Sequence, residues 1–168
     1  LAAYYAFREI KKGTDPLGPD NKLYLFTGTL TGTPAPLGNR TVAATKSPAT
    51  GTFTDSYMGG HWGPELRFAG YDGIILEGAS AEPVRIHIQD DDIRLLSARN
   101  LWGMDTWRTE SEIKKLHGPS KKPIRVLSIG PAGERKDVLA AVIADARAAA
   151  RAGMGKALAE ACPTARAV

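Results

Sequence analysis

With 168 residues, 43% of them hydrophobic and 24% charged, the chain is long enough to bury a core of its own and too evenly mixed to be disordered or fibrous. A net charge of +4 suits an anionic ligand such as phosphate as well as nucleic acid, but no basic patch interleaved with aromatics supports the latter, so no nucleic-acid partner is expected. No apolar run approaches the roughly 18 residues that cross a bilayer, and a single cysteine, Cys162, excludes an intrachain disulfide framework; no membrane partner is expected, and a reducing cytoplasm is the expected setting.

The start, Leu1-Ala2-Ala3-Tyr4-Tyr5, has neither the basic region nor the long apolar core of a signal peptide, and without an initial methionine the chain is expected to begin inside a longer reading frame. Leu1 to Lys11 predicts a helix with Leu1, Tyr4, Tyr5 and Ile10 near one face, ended by Lys11-Lys12-Gly13. Asp15 to Asp20 is turn chemistry, and Leu23 to Phe26 reads as a buried strand. Gly28 to Gly38 is a Gly-Thr-Pro loop, followed by strands at Arg40 to Lys46 and Thr52 to Thr54. A short helix is expected to open with Pro64 at its first position. Gly73 to Glu77 and Val84 to Ile88 predict strands, the second half-exposed because Arg85 and His87 alternate with Val84, Ile86 and Ile88. Gln89 to Asp92 predicts a hairpin turn into Ile93 to Leu96, and Thr106 to Leu116 an amphipathic helix closed by His117-Gly118-Pro119. Ile124 to Ile129 reads as a strand, and Gly130 to Gly133 as a turn into Val138 to Ile143. Strands joined by hairpin-length turns outnumber helices, so the expected fold is α+β: one domain of mixed, largely antiparallel sheets with a few helices.

Several positions could carry chemistry. Arg40 leaves the glycine-rich loop where a guanidinium could clamp a phosphate, or could simply be solvated. Asp55-Ser56-Tyr57-Met58-Gly59-Gly60 runs into Trp62 and Pro64, where free amides would make an anion or heterocycle seat, unless the glycines serve only packing. Arg147 to Lys156 is not a phosphate loop, because Ala157 stands where a hydroxyl is needed. Arg147 and Arg151, four apart, would share one helical face. His61, His87 and His117 lack metal-ligand spacing; His87 is expected on the outer face of a sheet and His117 in a helix's last turn. Cys162 cannot hold an iron–sulfur cluster alone, and no catalytic triad can be assembled.

Taken together and in order, Leu1 to Tyr5, Thr14 to Leu23, Gly28 to Pro36, Thr45 to Pro48, Gly63 to Gly78, Leu101-Trp102-Gly103 and Ser128 to Glu134 resemble the N-terminal domain of the tungsten- or molybdenum-dependent aldehyde:ferredoxin oxidoreductases. The resemblance implies a domain spanning 1–168, truncated at its start and divergent after about 145, that seats a bis-pterin cofactor carrying tungsten or molybdenum. It also implies oxidation of an aldehyde substrate to a carboxylic acid with ferredoxin as electron acceptor. The [4Fe–4S] cluster would come from the remaining domains of the same enzyme, which makes this segment inactive alone. Arg40 matches the family arginine that reaches the pterin, and Gly59 and Gly60 match its glycine pair.

Tyr57 stands where several members have asparagine, and it can substitute if that position offers only its backbone carbonyl to a magnesium bridging the cofactor phosphates. Arg147 and Ala148 match the start of the signature Arg-Ala-Ala-Gly-Arg-Gly-Gly-x-Gly after a one-residue deletion, with the Ala148 carbonyl toward the same magnesium. Ala150 and Ala152 replace two glycines of that signature, and Lys156 to Pro163 departs from the run expected next. A methyl group where the backbone needs positive φ costs about 1 kcal/mol. The altered end leaves one alternative open: an inert stand-alone scaffold or binding module that kept the fold and lost the cofactor.

Overall fold

The computed structural model describes residues 1–120, 122–160 and 164–167, the last stretch as backbone. Cys162 lies outside the described residues. A first helix, α1 (Ala2–Glu9), precedes β1 (Lys22–Thr27), β2 (Thr41–Lys46) and β3 (Phe53–Met58). The short helix α2 (Trp62–Phe68) then leads to β4 (Gly73–Glu77) and the hairpin β5 (Val84–Gln89) and β6 (Asp92–Ser97). Helix α3 (Thr106–His117), β7 (Leu127–Ser128), the single turn α4 (Pro131–Glu134), β8 (Val142–Ala144) and β9 (Arg147–Ala149) follow. A 3₁₀ turn over Arg151–Gly153 enters α5 (Met154–Glu160), and β10 (Thr164–Ala167) ends the described chain.

Three sheets result: one of five strands in the order β10-β4-β1-β2-β3, the β5-β6 pair, and one of three strands in the order β7-β8-β9. Every pairing among the described residues is antiparallel. The α+β, largely antiparallel class expected from the alternation of strands and turns is therefore the class found. No helix among the described residues is long and apolar enough to cross a membrane.

Side chains of successive strand residues point to opposite faces, and the five-stranded sheet uses both. On one face Leu23, Leu25, Ala43, Met58, Ile74 and Leu76 are buried with Val142, Ala144, Ala149 and Met154, which joins the three-stranded sheet and α5 to the main sheet. On the other, Tyr24, Phe26, Ala44 and Ile75 are buried under Ala2 and Ala6 of α1. Each fully buried Leu, Ile, Phe or Met contributes about 1.5–3 kcal/mol.

Several local expectations shift. The face that α1 presents is Ala2 and Ala6 with Tyr5 stacked on Phe26, whereas Leu1 and Tyr4 are exposed, because only small residues let the helix sit close to the sheet. Helix α2 begins at Trp62, two residues before Pro64. The strand expected over 124–129 contracts to β7 and that over 138–143 to β8; Val138 and Leu139 are exposed, while Val142 and Ala144 pack in the core shared with the main sheet. Residues 130–133 lie largely within α4 rather than in a turn. Arg147 and Arg151 do not share a helical face: the first lies in a strand and the second opens the 3₁₀ turn. Asp145 and Ala146, at φ 50 and 56, form a two-residue reversal between paired Ala144 and Arg147, which imposes a hairpin on an alanine-rich segment.

Candidate functional site

The loop before β2 is organised by a buried threonine. The Thr31 hydroxyl accepts from the Gly28 amide at 3.0 Å and lies 3.2 Å from the carbonyls of both Gly38 and Arg40. Asn39 Oδ1 accepts from the Gly32 amide at 3.0 Å. These contacts fix the backbone from which Arg40 projects, and the Arg40 side chain is exposed. Gly63 of α2 packs so closely on this loop that a Cβ there would stand 2.3 Å from Thr41 Oγ1.

Register then brings the second segment alongside. Thr41 pairs with Met58, so the residues flanking that pair, Arg40 on one strand and Gly59 on the other, emerge at the same end of the sheet. A Cβ on Gly59 would meet only Asn39 O, at 3.9 Å, which leaves room for a ligand against the backbone. Tyr57 pairs with Val42 and Asp55 with Ala44, both on the α1 face of the sheet. The Tyr57 ring therefore projects away from the face on which Met58 packs with Ala149. A hydrogen bond and the charge of the Asp55 carboxylate hold the Tyr57 phenol above its ordinary pKa.

The third segment arrives through the β8–β9 hairpin. Gly60, at φ 97, has Asp145 Oδ2 only 3.0 Å and Arg147 Cγ 3.5 Å from where a Cβ would lie. Asp145 Oδ2 accepts from the amides of His61 at 2.7 Å and Trp62 at 3.0 Å, and its Oδ1 accepts from Arg125 Nη1 at 3.2 Å. The amides at the start of α2 are thus already capped by a carboxylate from 83 residues downstream of Trp62. The seat for an external anion anticipated there is filled, and sequence offered no signal for it, since the partner is neither local nor part of a motif. Farther along, Arg151 N lies 3.5 Å from Ser56 Oγ, and the Ser47 hydroxyl donates to the Ala152 carbonyl at 2.8 Å.

Arg40, Gly59, Gly60, Arg147 and Ala148 therefore gather around one end of β3. Arg40, Arg147 and Ala148 are all exposed, and among the described residues neither arginine has a carboxylate partner. Free guanidiniums beside an uncrowded glycine suit a large anionic ligand. Among the described residues no group of three or more His, Cys, Asp or Glu side chains could hold a metal ion.

His61 is exposed. His87, half-buried, lies on the face of β5 opposite Ile86 and Ile88, which pack on the core, and its ring stacks on His117 of α3 at 4.6 Å and 13°. Arg85 Nη1 lies 3.1 Å from His117 Nε2. Burial first, then His87 and Arg85, lower the His117 pKa.

Residues 1–161 match the family described as the aldehyde ferredoxin oxidoreductase N-terminal domain, and the chain belongs to this family. It is 48% identical over 156 residues to the tungsten-containing aldehyde ferredoxin oxidoreductase of Thermococcus kodakarensis and 46% identical to that of Pyrococcus furiosus. In each case the match covers 92% of this chain and 26% of the relative, so the chain spans about a quarter of the length of these relatives. Among solved structures, the active-site complex BamBC of benzoyl coenzyme A reductase bound to 1,5-dienoyl-CoA superposes with a TM-score of 0.90 at 35% identity, covering 99% of this chain and 25% of that one.

Proposed function

We propose that this chain forms the cofactor-seating base of a tungsten- or molybdenum-pterin oxidoreductase that oxidises aldehydes to carboxylic acids and passes electrons to ferredoxin. The observation that carries this reading is the convergence of Arg40, Gly59–Gly60 and Arg147–Ala148 at one end of β3. When bound, a pterin dithiolene supplies the redox metal through its own sulfurs. Arg40 and Arg147 would hold its phosphate arms, and Gly59 would let the backbone approach the ring system. A magnesium ion, a hard cation that takes oxygen ligands, would rest on the carbonyls of Tyr57 and Ala148.

The matched relatives include a tungsten-containing aldehyde ferredoxin oxidoreductase and a benzoyl coenzyme A reductase complex, and this difference in chemistry supports a base that carries the cofactor while substrate choice is made elsewhere. Substrate pocket and [4Fe–4S] cluster then belong to the remaining domains, in a cytoplasmic enzyme. Leu37 and Leu139, 91% and 83% exposed, suit burial against those domains. The alternative of an inert scaffold gains little from the altered segment: Ala152 carries a left-handed backbone, yet its carbonyl is still held by Ser47.

The test is the full-length chain carrying Arg40→Ala with Gly59→Val. Metal and pterin per chain are expected to fall on the order of tenfold, and unchanged content would reject the assignment.

A further inference from the structure

Two of the three segments gathered at the end of β3 meet on one side chain. Asp145 is 11% exposed, and both of its oxygens are engaged by this chain: Oδ2 by the amides of His61 and Trp62, Oδ1 by Arg125. Its backbone is equally constrained, because Asp145 and Ala146 are the two left-handed residues closing the hairpin between Ala144 and Arg147. Arg147 therefore sits two residues from an anchor fastened to the loop that contains Gly60. Position 60 favours glycine: its φ is 97, and a Cβ there would stand 3.0 Å from Asp145 Oδ2 and 3.1 Å from its Cβ.

We infer that Asp145 is a positioning residue, which pins the Arg147–Ala148 strand to the Gly59–Gly60 loop and so sets how firmly this base holds its cofactor. The inference rests on the cofactor-seat reading given above. Asp145 acts through its neighbours: with its oxygens committed to two amides and a guanidinium, it holds the frame on which Arg147 and Gly59 are presented. Arg125 offsets the charge of that carboxylate at 3.2 Å. The exposed guanidiniums of Arg40 and Arg147 remain available to an incoming anion.

The experiment uses the full-length chain with Asp145→Ala, Asp145→Asn and Asp145→Glu, and Ile75→Val in the other core cluster as a destabilised control. Metal and pterin per chain are measured together with hydrogen exchange at the His61 and Trp62 amides. Asp145→Ala is expected to speed exchange at both amides and to lower cofactor content on the order of tenfold, the effect typical of groups that orient ligand-contacting residues. Asp145→Asn keeps an acceptor in place and should restore most of the cofactor, and Ile75→Val should retain it.

Should Asp145→Ala fail to fold, the other two variants decide. Asn retaining more cofactor than Glu supports positioning, whereas Glu matching or exceeding Asn makes charge the determinant and overturns the inference. Full cofactor in a folded Asp145→Ala protein with fast-exchanging amides overturns it too. Arg40→Ala with Gly59→Val, run in parallel, separates the two ideas. If that variant loses cofactor while the Asp145 variants keep it, only the positioning role fails; if it also keeps cofactor, the seat itself is wrong.

Discussion

The Ser47 hydroxyl donates to the Ala152 carbonyl at 2.8 Å, and the alanine held in this way has a left-handed backbone, φ 51. Ser47 is fully buried and also accepts from the amides of Ala49 and Thr50, so the contact is part of a fixed turn. A left-handed alanine costs about 1–2 kcal/mol, and glycine's added freedom in the unfolded chain offsets about half of that. Ala152→Gly is therefore expected to stabilise the protein by about 0.5–1 kcal/mol, read as a melting temperature raised by about 1–4 °C. An unchanged or lower melting temperature would show that the segment draws no strain from this alanine.

Gly73 poses the opposite case. A Cβ there would lie 2.3 Å from Phe26 Cδ1 and 2.7 Å from Leu25 O, and the carbonyl belongs to backbone that cannot swing aside. Gly73→Ala should cost about 1–3 kcal/mol by overpacking, measured as a lower urea midpoint. Gly13, at φ 86 with open space around it, should lose only about 1 kcal/mol on the same change. Equal losses at the two sites would remove the steric argument.

Arg85 can donate to His117 Nε2 only while that ring is neutral. The depressed folded pKa of His117 has burial as its first cause, with His87 and Arg85 adding to it; these outweigh the cation preference of a helix C-terminus, about 0.3–1 kcal/mol. The unfolded ring takes up its proton near about pH 6.5. Between that value and the lower folded one, the unfolded state binds more protons, so stability must decline as pH falls. Denaturation at pH 7 and pH 5 should show this decline, and His117→Gln, which keeps an acceptor for Arg85, should flatten it. A slope that survives the substitution would assign the effect to another group.

Lys22 lies between Glu9 and Glu77, at 3.0 and 2.6 Å. Burial alone would lower its pKa, but the hydrogen bonds and charges of Glu77 and Glu9 win and raise it. The stability it contributes is therefore complete below its unfolded pKa, about 10.4, and fades as pH climbs through the higher folded value. Lys22→Met should destabilise at pH 7 by leaving two carboxylates together, and the loss should shrink in acid, at about pH 3, where repulsion between carboxyl groups is relieved. Thermal melts at the two pH values decide; a deficit of equal size at both would mean that packing and not charge is lost.

Tyr57 offers a test confined to one oxygen. Its hydroxyl is beside Asp55 on the α1 face, so only its backbone is placed to serve the cluster. Tyr57→Phe in the full-length chain should keep its full cofactor content, and depletion would give the hydroxyl a part that this geometry does not provide.

Sequence made the central strands legible because Leu23 to Phe26 and Ile74 to Leu76 are apolar runs buried on both faces, and because α3 carries its own stop at Gly118. It anticipated β7 and β8 at greater length than they have and missed β9, because these strands are only two or three residues long and are held by contact with the larger sheet. Alanine-rich composition favours helix at Arg147 to Ala149, yet packing of Ala149 beside Met58 overrides that preference. Arg40, Gly59, Gly60, Arg147 and Ala148 could be singled out from loop chemistry and resemblance. Asp145 could not, because the two amides it caps lie 84 and 83 residues away and carry no side-chain signature.

The antiparallel pairing of β10 with β4, Ala165 opposite Leu76, has a consequence for synthesis. Until residue 164 has left the ribosome, Ile74, Ile75 and Leu76 form an apolar strand with one open edge, and about ninety residues must be added before its partner exists. At about 5–20 residues per second, that exposure lasts several seconds. In the interval between completing β4 and delivering β10, that edge is open to pairing with another chain.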